Sequence, residues 1–435
     1  RRFYSRRDYR PAWHDGQTAQ VLLSALYDAE EEGLRPADYH LETLLWLLAP
    51  IRELDSWARM ELDLLLTDAF LALAADSAYG RADVLEPGWL VRAPKRDLAA
   101  VLEQALRRQR LAAALQELLP TDPAYRNLRE MRDLYRRLAA VGGWPALPDG
   151  PVLQQGARDH RVPMLRARLR LSGDYSAVGG NPLDFDPDLA AAVRRFQQRH
   201  GLRADGRVGP ATLSALNVSV EERLRQIELN LERWRRLPRS LGERHILVNI
   251  ADYSLEVVEQ GAPVFRQRVI VGNERRRTPV MSGRISYLVL NPSWEVPASI
   301  MVEDMLPLVR ANSSFFERNG IEVLQGWANE RRIDPHAVDW TQVATDPFPY
   351  RFRQAPGPRN ALGQIKFMFP NQQSIYLHDT PDRRLFDREQ RALSSGCVRV
   401  EQPIELATYL LAGAGWDTGG IKRALAGGEE RSVDL

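Results

Sequence analysis

The sequence predicts a multidomain α+β protein: a helical scaffold, a module of three short helices, and a β-rich C-terminal domain carrying a large insertion. Three observations predict it. The chain has 435 residues, more than one hydrophobic core ordinarily organises, so two or three domains are expected. Apolar residues recur three and four apart up to about Arg137, as amphipathic helices require, whereas after about His245 they alternate, as strands require. Between these regions lie stretches whose glycines and prolines interrupt both patterns.

The first element is the helical scaffold, residues 1–155. From Gln17 onward helix formers dominate, with Leu102, Leu106, Leu111 and Leu118 at helical spacing. Gly142, Gly143, Pro145, Pro148, Gly150 and Pro151 cannot continue a helix, so a linker is expected over 141–155. The second element, residues 156–217, opens with Val162, Leu165 and Leu169 on one helical face. Its next helix is capped by Asp186, has Pro187 at its first position, and aligns Leu189, Val193 and Phe196 before Gly201 ends it. An Asp205-Gly206 turn and Gly209-Pro210 then open a third helix with Leu213 and Leu216. The string from Phe185-Asp186-Pro187-Asp188 to Asp205-Gly206-Arg207-Val208-Gly209-Pro210-Ala211-Thr212 resembles the peptidoglycan-binding type 1 module, which implies a wall-binding accessory. Residues 218–240 return to helical spacing with Leu224, Ile227, Leu231 and Trp234, and this helix is expected to rejoin the scaffold.

The third element, residues 241–435, is β-rich. Strands are predicted over His245–Ile250, Leu255–Val258, Phe265–Val271, Ile285–Leu290, Ile365–Phe369 and Ser374–His378. Between two of them, residues from about 297 to 358 mix helical periodicity with Pro307, Pro335, Pro347, Pro349 and Pro356. So long a stretch reads as an inserted capping subdomain.

Composition narrows the function classes. With 44% hydrophobic residues, 27% charged residues and a formal charge of +2, the chain reads as an ordinary globular protein. Its arginines are interleaved with acids, as in Glu221-Glu222-Arg223, which describes solvated helix faces and argues against a nucleic-acid partner. Asp68 interrupts the apolar run Leu64–Leu73 far short of the roughly 18 residues a spanning helix needs. Arg1 to Arg7 is basic with no apolar run behind it, so it does not read as a signal peptide. That leaves a cytosolic chain or one whose leading segment was removed. The single cysteine, Cys397, excludes an internal disulfide and any multi-cysteine metal site, and no metal or cofactor is expected. It is either a small buried hydrophobe or a reactive thiol.

Its context favours the second. A thiol nucleophile needs a base to take its proton and donors for the oxyanion formed when it attacks a carbonyl. His378 ends the alternating run Ile375-Tyr376-Leu377-His378, and Cys397 follows the turn Ser394-Ser395-Gly396. The backbone N–H groups of Gly396 and Cys397 are candidate oxyanion donors, because glycine permits a sharp turn there. Arg399, two residues on, is placed to favour the thiolate or to hold a substrate carboxylate, the alternative being a surface ion pair. Asp379 or a backbone carbonyl would orient His378. None of the other six histidines, at positions 14, 40, 160, 200, 245 and 336, lies in such a motif.

The pattern His378-Asp379-Thr380, followed after residues 379–393 by Ser394-Ser395-Gly396-Cys397-Val398-Arg399, resembles the L,D-transpeptidase signature of the YkuD-type domain. Supporting runs are Val271-Gly272-Asn273, Thr278-Pro279, Asn291-Pro292-Ser293-Trp294-Glu295-Val296-Pro297, Lys366-Phe367 and Pro370-Asn371. Together they cover most of residues 245–402. The order of scaffold, wall-binding module and interrupted catalytic domain resembles the long Gram-negative branch of that family. Ser395 stands where many members carry histidine, which leaves His378 as the motif's one imidazole.

The resemblance implies that Cys397 is an acyl-accepting nucleophile served by His378, with peptidoglycan tetrapeptide stems as donor and acceptor. The products would be a 3→3 diaminopimelate cross-link and free D-alanine. It further implies substrate contacts at Arg399, Tyr376, Trp294, Ser394 and Ser395, carbapenems as covalent inhibitors, and a periplasmic location, anchored if a leading segment once preceded the chain. An L,D-carboxypeptidase using the same thiol and a non-catalytic wall-binding scaffold are the alternatives.

Overall fold

The computed structural model describes residues 1–49, 55–81, 91, 94–312 and 314–435. Parts of the predicted helical stretch at 50–54, 82–90 and 92–93, and residue 313 of the insertion, lie outside the described residues. The chain forms two compact units, one ending at Ser240 and one covering Leu241–Leu435.

The first unit is helical. Asp15, Asp55, Asp97 and Asp122 each accept a hydrogen bond from a first-turn N–H, capping the helices Gly16–Asp28, Ser56–Tyr79, Leu98–Arg107 and Pro123–Ala140. Leu22, Leu26, Leu44, Phe70 and Leu102 belong to a core to which the first three of these helices contribute. The three-helix module runs Val162–Leu171, Pro187–Arg199 and Pro210–Leu216 around Leu165, Leu169, Val193, Phe196 and Leu216. Asp186 accepts from Leu189 N–H at 2.8 Å, and Gly201, at φ 64, leaves the helix in the left-handed conformation.

The stretch expected to be a linker is packed rather than loose, because it carries apolar anchors. Trp144, Leu147 and Leu153 are buried, and Trp144 Nε1 donates to the Val218 carbonyl at 3.0 Å. Helix Val220–Arg236 packs on Pro123–Ala140. There the buried Arg235 donates to the Glu32 carbonyl at 2.8 Å and pairs with Glu232 at 2.6 Å.

The second unit is built on strands β1 (Arg244–Asn249), β2 (Ser254–Glu259), β3 (Ala262–Gly272), β4 (Tyr287–Leu290), β5 (Trp294–Glu295), β6 (Ile321–Gln325), β7 (Arg331–Ile333), β8 (Arg351–Gln354), β9 (Ile365–Met368), β10 (Leu377–His378), β11 (Ala392–Ser394), β12 (Val398–Val400) and β13 (Arg431–Asp434). Among the described residues the main sheet runs β1-β2-β3-β12-β10-β9-β4-β13, with β11 alongside β3. Its alternation has a clear sense. Leu288, Leu290, Ile365, Phe367, Leu377, Val398 and Val400 share one buried core with Leu406, Leu411, Ile421 and Leu425 from helices Pro403–Leu411 and Thr418–Ala426. Burial of each such side chain contributes about 1.5–3 kcal/mol. Residues of opposite parity, Lys366, His378 and Arg399, therefore emerge on the other face.

The strand predicted over Ser374–His378 is shorter than its sequence suggests. Asn371 Oδ1 accepts from the N–H groups of Gln373 and Ile375, both at 3.1 Å, and its Nδ2 donates to the Phe369 and Ile375 carbonyls. This side chain ties the segment into a turn, with Ser374 at φ 53, and pairing begins only at Leu377. The insertion has its own small sheet, β5-β8-β6-β7, and its own core of Val296, Met305, Phe316, Val323, Trp340 and Phe352.

Candidate active site

Two strands far apart in sequence bring the candidate residues together. β10 pairs in parallel with β12, setting Leu377 opposite Val398 and His378 opposite Arg399. Val398 N–H donates to the Tyr376 carbonyl at 2.9 Å, so Cys397 falls beside Tyr376. On β10's other side β9 sets Lys366 opposite His378. Tyr376, His378, Cys397, Arg399 and Lys366 thus share the face turned away from the helix-covered core.

The turn before Cys397 is held from inside. Gly396 adopts φ 117, and a Cβ there would meet Ile375 Cδ1 at 2.9 Å, so only glycine fits. Ser394 Oγ donates to the Cys397 carbonyl at 2.5 Å and accepts from Gly396 N–H at 3.2 Å. Thr278 Oγ1 donates to the Gly396 carbonyl at 2.7 Å and accepts from Gly272 N–H at 2.8 Å. Gly272 is likewise required by close approach, since a Cβ would meet the Arg276 carbonyl at 2.2 Å. These contacts correct one expectation. The Gly396 amide of the predicted oxyanion pair serves the turn itself through Ser394, which makes Ser394 a builder of the turn.

His378 is 4% exposed. Its Nδ1 lies 2.5 Å from the Asp379 carbonyl, so in the neutral ring Nδ1 carries the proton and Nε2 the lone pair. Of the two orienting groups the sequence offered, the backbone carbonyl is the one used. The Asp379 carboxylate instead accepts from Gln364 N–H at 2.9 Å, Thr380 N–H at 2.6 Å and Arg383 at 2.5 Å. Burial, then the positive charge of Arg399, push the imidazole down to about 3, with Lys366 adding to them and the Asp379 and Leu362 backbone bonds pulling the other way. The ring is neutral at physiological pH.

Cys397 is half-buried, and its Sγ donates to the Ser374 carbonyl at 3.8 Å rather than to the imidazole. Catalytic hydrogen bonds commonly tighten only when substrate is present. Burial raises the thiol pKa, while the Tyr376 backbone, Lys366 and Arg399 lower it. Both shifts favour the uncharged forms, a thiol and a neutral imidazole, over a thiolate and an imidazolium. Arg399 is half-buried on the face it shares with Cys397, and its Nε is a buried donor with no hydrogen-bond partner.

The remaining predicted contacts divide. Tyr376 lies in the group, with Lys366 Nζ 3.9 Å from its ring centroid. Ser395 is exposed and receives a hydrogen bond from Arg276 at 3.1 Å. Trp294 sits on β5, half-buried and packed against the core of the insertion.

Lys366 was given no role by the sequence reading. The available signal was parity: a lysine between Ile365 and Phe367 in an apolar strand must face the side opposite the core, where His378 stands. Replacing it with methionine removes a positive charge that favours the thiolate. The pH midpoint for alkylation of Cys397 by iodoacetamide is then expected to rise by about half a unit or more, and an unchanged midpoint would show that Lys366 does not act on the thiol.

Comparison with known proteins matches this architecture. Three family models match: a scaffold domain over residues 1–131, a "Putative peptidoglycan binding domain" over residues 158–216, and the YkuD L,D-transpeptidase catalytic domain over residues 243–417. A curated Haemophilus influenzae protein named "Putative L,D-transpeptidase" is 43% identical over 247 residues, covering 55% of this chain and 47% of that protein. The chain thus matches about half the length of that relative. Crystal structures of L,D-transpeptidases from Xylanimonas cellulosilytica and Stackebrandtia nassauensis align at 18% and 15% identity. They cover 63% and 61% of this chain and 95% and 91% of theirs, with TM-scores of 0.18 and 0.24, too loose an overlap to bear on the site. The chain carries a YkuD-type L,D-transpeptidase catalytic domain over residues 243–417, preceded by a peptidoglycan-binding domain over residues 158–216.

Proposed function

We propose that this chain is a peptidoglycan L,D-transpeptidase that works through a Cys397 thioester. The observation that carries the reading is the β10–β12 register, which sets Cys397, His378 and Arg399 on one face of a domain matched to that family. In the first half-reaction Sγ attacks the carbonyl joining the L-centre of diaminopimelate to the terminal D-alanine of a tetrapeptide stem. His378 Nε2 takes the thiol proton and returns it to the departing amine of D-alanine, leaving the acyl group on sulfur. The Cys397 N–H donates to the oxyanion. Arg399, on the same face as Cys397, is read as the group that holds a substrate carboxylate through its planar fork.

In the second half-reaction the side-chain amine of an acceptor diaminopimelate attacks the thioester. Its proton passes to Nε2 and the thiol is regenerated, giving a 3→3 cross-link. A neutral imidazole suits both steps, because it begins each with a free lone pair. A peptidoglycan substrate and a wall-binding module are the grounds for proposing a periplasmic location.

Incubation with disaccharide tetrapeptides and mass spectrometry of the products tests the proposal. Cross-linked dimers that have lost one D-alanine are expected. Tripeptide monomers alone would make the protein an L,D-carboxypeptidase, and no product would leave a wall-binding scaffold. On the same thiol logic a carbapenem acylates Cys397, read as an intact-mass adduct.

A further inference from the structure

The loop between β3 and β4 carries a side chain that touches two separate pieces of the second unit. Asn273 Oδ1 accepts the N–H groups of Arg275 and Arg276, both at 2.9 Å, which fixes the backbone from which Arg276 projects. From there the guanidinium donates to Ser395 Oγ at 3.1 Å, to Glu303 at 2.6 Å, and to both oxygens of Asp304, one of them at 3.1 Å. We infer that Arg276 is a positioning residue that clamps the nucleophile turn to the inserted subdomain. The inference rests on reading Cys397 as the nucleophile, since Ser395 stands two residues before it.

Both ends of the clamp are anchored. Glu303 and Asp304 lie on a π-helical turn, Met301–Met305, where Leu306 N–H bonds the Met301 carbonyl. Pro307 explains that widened turn: it offers no N–H to the Glu303 carbonyl, and its ring would crowd it in an α-helix. Met301 and Met305 are buried in the insertion's core, so the two carboxylates move with the subdomain. Thr278, on the same loop as Arg276, holds the Gly396 carbonyl.

Exposed ion pairs contribute little, typically about 0–1 kcal/mol. Arg276 is 20% exposed in its side chain while Glu303 and Asp304 are 63% and 48% exposed, so the bond geometry rather than burial distinguishes this group. A planar fork bonding a hydroxyl and two carboxylates at once cannot be reproduced by a point charge. A displacement of the insertion would be felt at Ser395, and a substrate seated against the insertion would thereby set the turn that bears the thiol.

The test compares the rate of Cys397 labelling by a bulky maleimide with that by iodoacetamide in the full chain. Neither reagent needs turnover, so failure of the transpeptidase reading leaves the test intact. Arg276→Gln and the pair Glu303→Gln/Asp304→Asn are each expected to raise the bulky-to-small ratio about fivefold or more, and their combination no further than either alone, as members of one interaction should. Arg276→Lys should behave like the glutamine variant, and cross-linking should fall in kcat more than it changes KM. Raising the salt concentration on the unsubstituted chain should move the ratio the same way, which covers the case in which a variant folds poorly. An unchanged ratio, or effects of the two groups that simply add, overturns the clamp.

Discussion

Cys397→Ala is expected to form no detectable cross-linked product and no carbapenem adduct, while still sedimenting with peptidoglycan through residues 158–216. The loss should be complete for a structural reason: the chain contains one cysteine, and no second thiol can accept the acyl group. Removing the covalent nucleophile of an acyl-transfer enzyme costs on the order of 10⁶ in turnover. Folding should be largely spared. The side chain is half-buried, the turn is held by Ser394, Thr278 and Gly396 rather than by the sulfur, and its loss costs about 1 kcal/mol. Product analysis by mass spectrometry, paired with a pull-down on sacculi, reads both halves. Measurable product from the alanine variant would end the thioester mechanism.

His378 gives the second large effect, with a distinguishing signature. His378→Gln should lower turnover by about 10²–10⁴-fold, the usual worth of a positioned acid–base group. The midpoint for alkylation of Cys397, however, should stay within about half a unit. A thiolate stabilised by an imidazolium would lose its stabiliser and shift upward. A thiol beside a neutral ring has no such charge to lose. The same burial predicts a stability effect of known sign. The folded-state value near 3 lies below the ordinary 6.5, so the contribution of the neutral ring is complete above pH 6.5 and declines as the pH falls toward 3. The glutamine variant should show a flatter acid limb in thermal unfolding. Turnover retained by His378→Gln would point to another base.

Much of this site was legible before any coordinates, wherever chemistry is local. Asp186, Pro187 and Gly201 delimit a helix through bonds within a few residues of themselves, and alternation alone sends Tyr376 and His378 to one side of a strand. The SerSerGlyCys turn could be read because a glycine beside a nucleophile constrains its own backbone.

What stayed hidden depends on partners remote in the chain. The parallel pairing of β10 with β12 is a long-range event, and Lys366 acquires meaning only once β9 lies beside His378. Asn371 shortens β10 by competing for backbone groups, which periodicity cannot register. The Gly396 amide looked free because nothing in the sequence says which way Ser394 Oγ will turn. The packing of Trp294 on the insertion's core was likewise hidden, because an aromatic in a motif looks the same whether it meets a ligand or a core.

The strict alternation of the central strands also makes the site an all-or-none proposition. Leu377 and Val398 enter the core as opposite partners, and the polar residues flanking them emerge together only because these two do not. A slip of one residue between β10 and β12 would invert the parity, sending Cys397 and Arg399 toward the helices and Val398 toward substrate. The apolar side chains of the core thus act as the proofreaders of the proposed chemistry, since an ensemble of nearly correct registers would be folded, compact and catalytically silent.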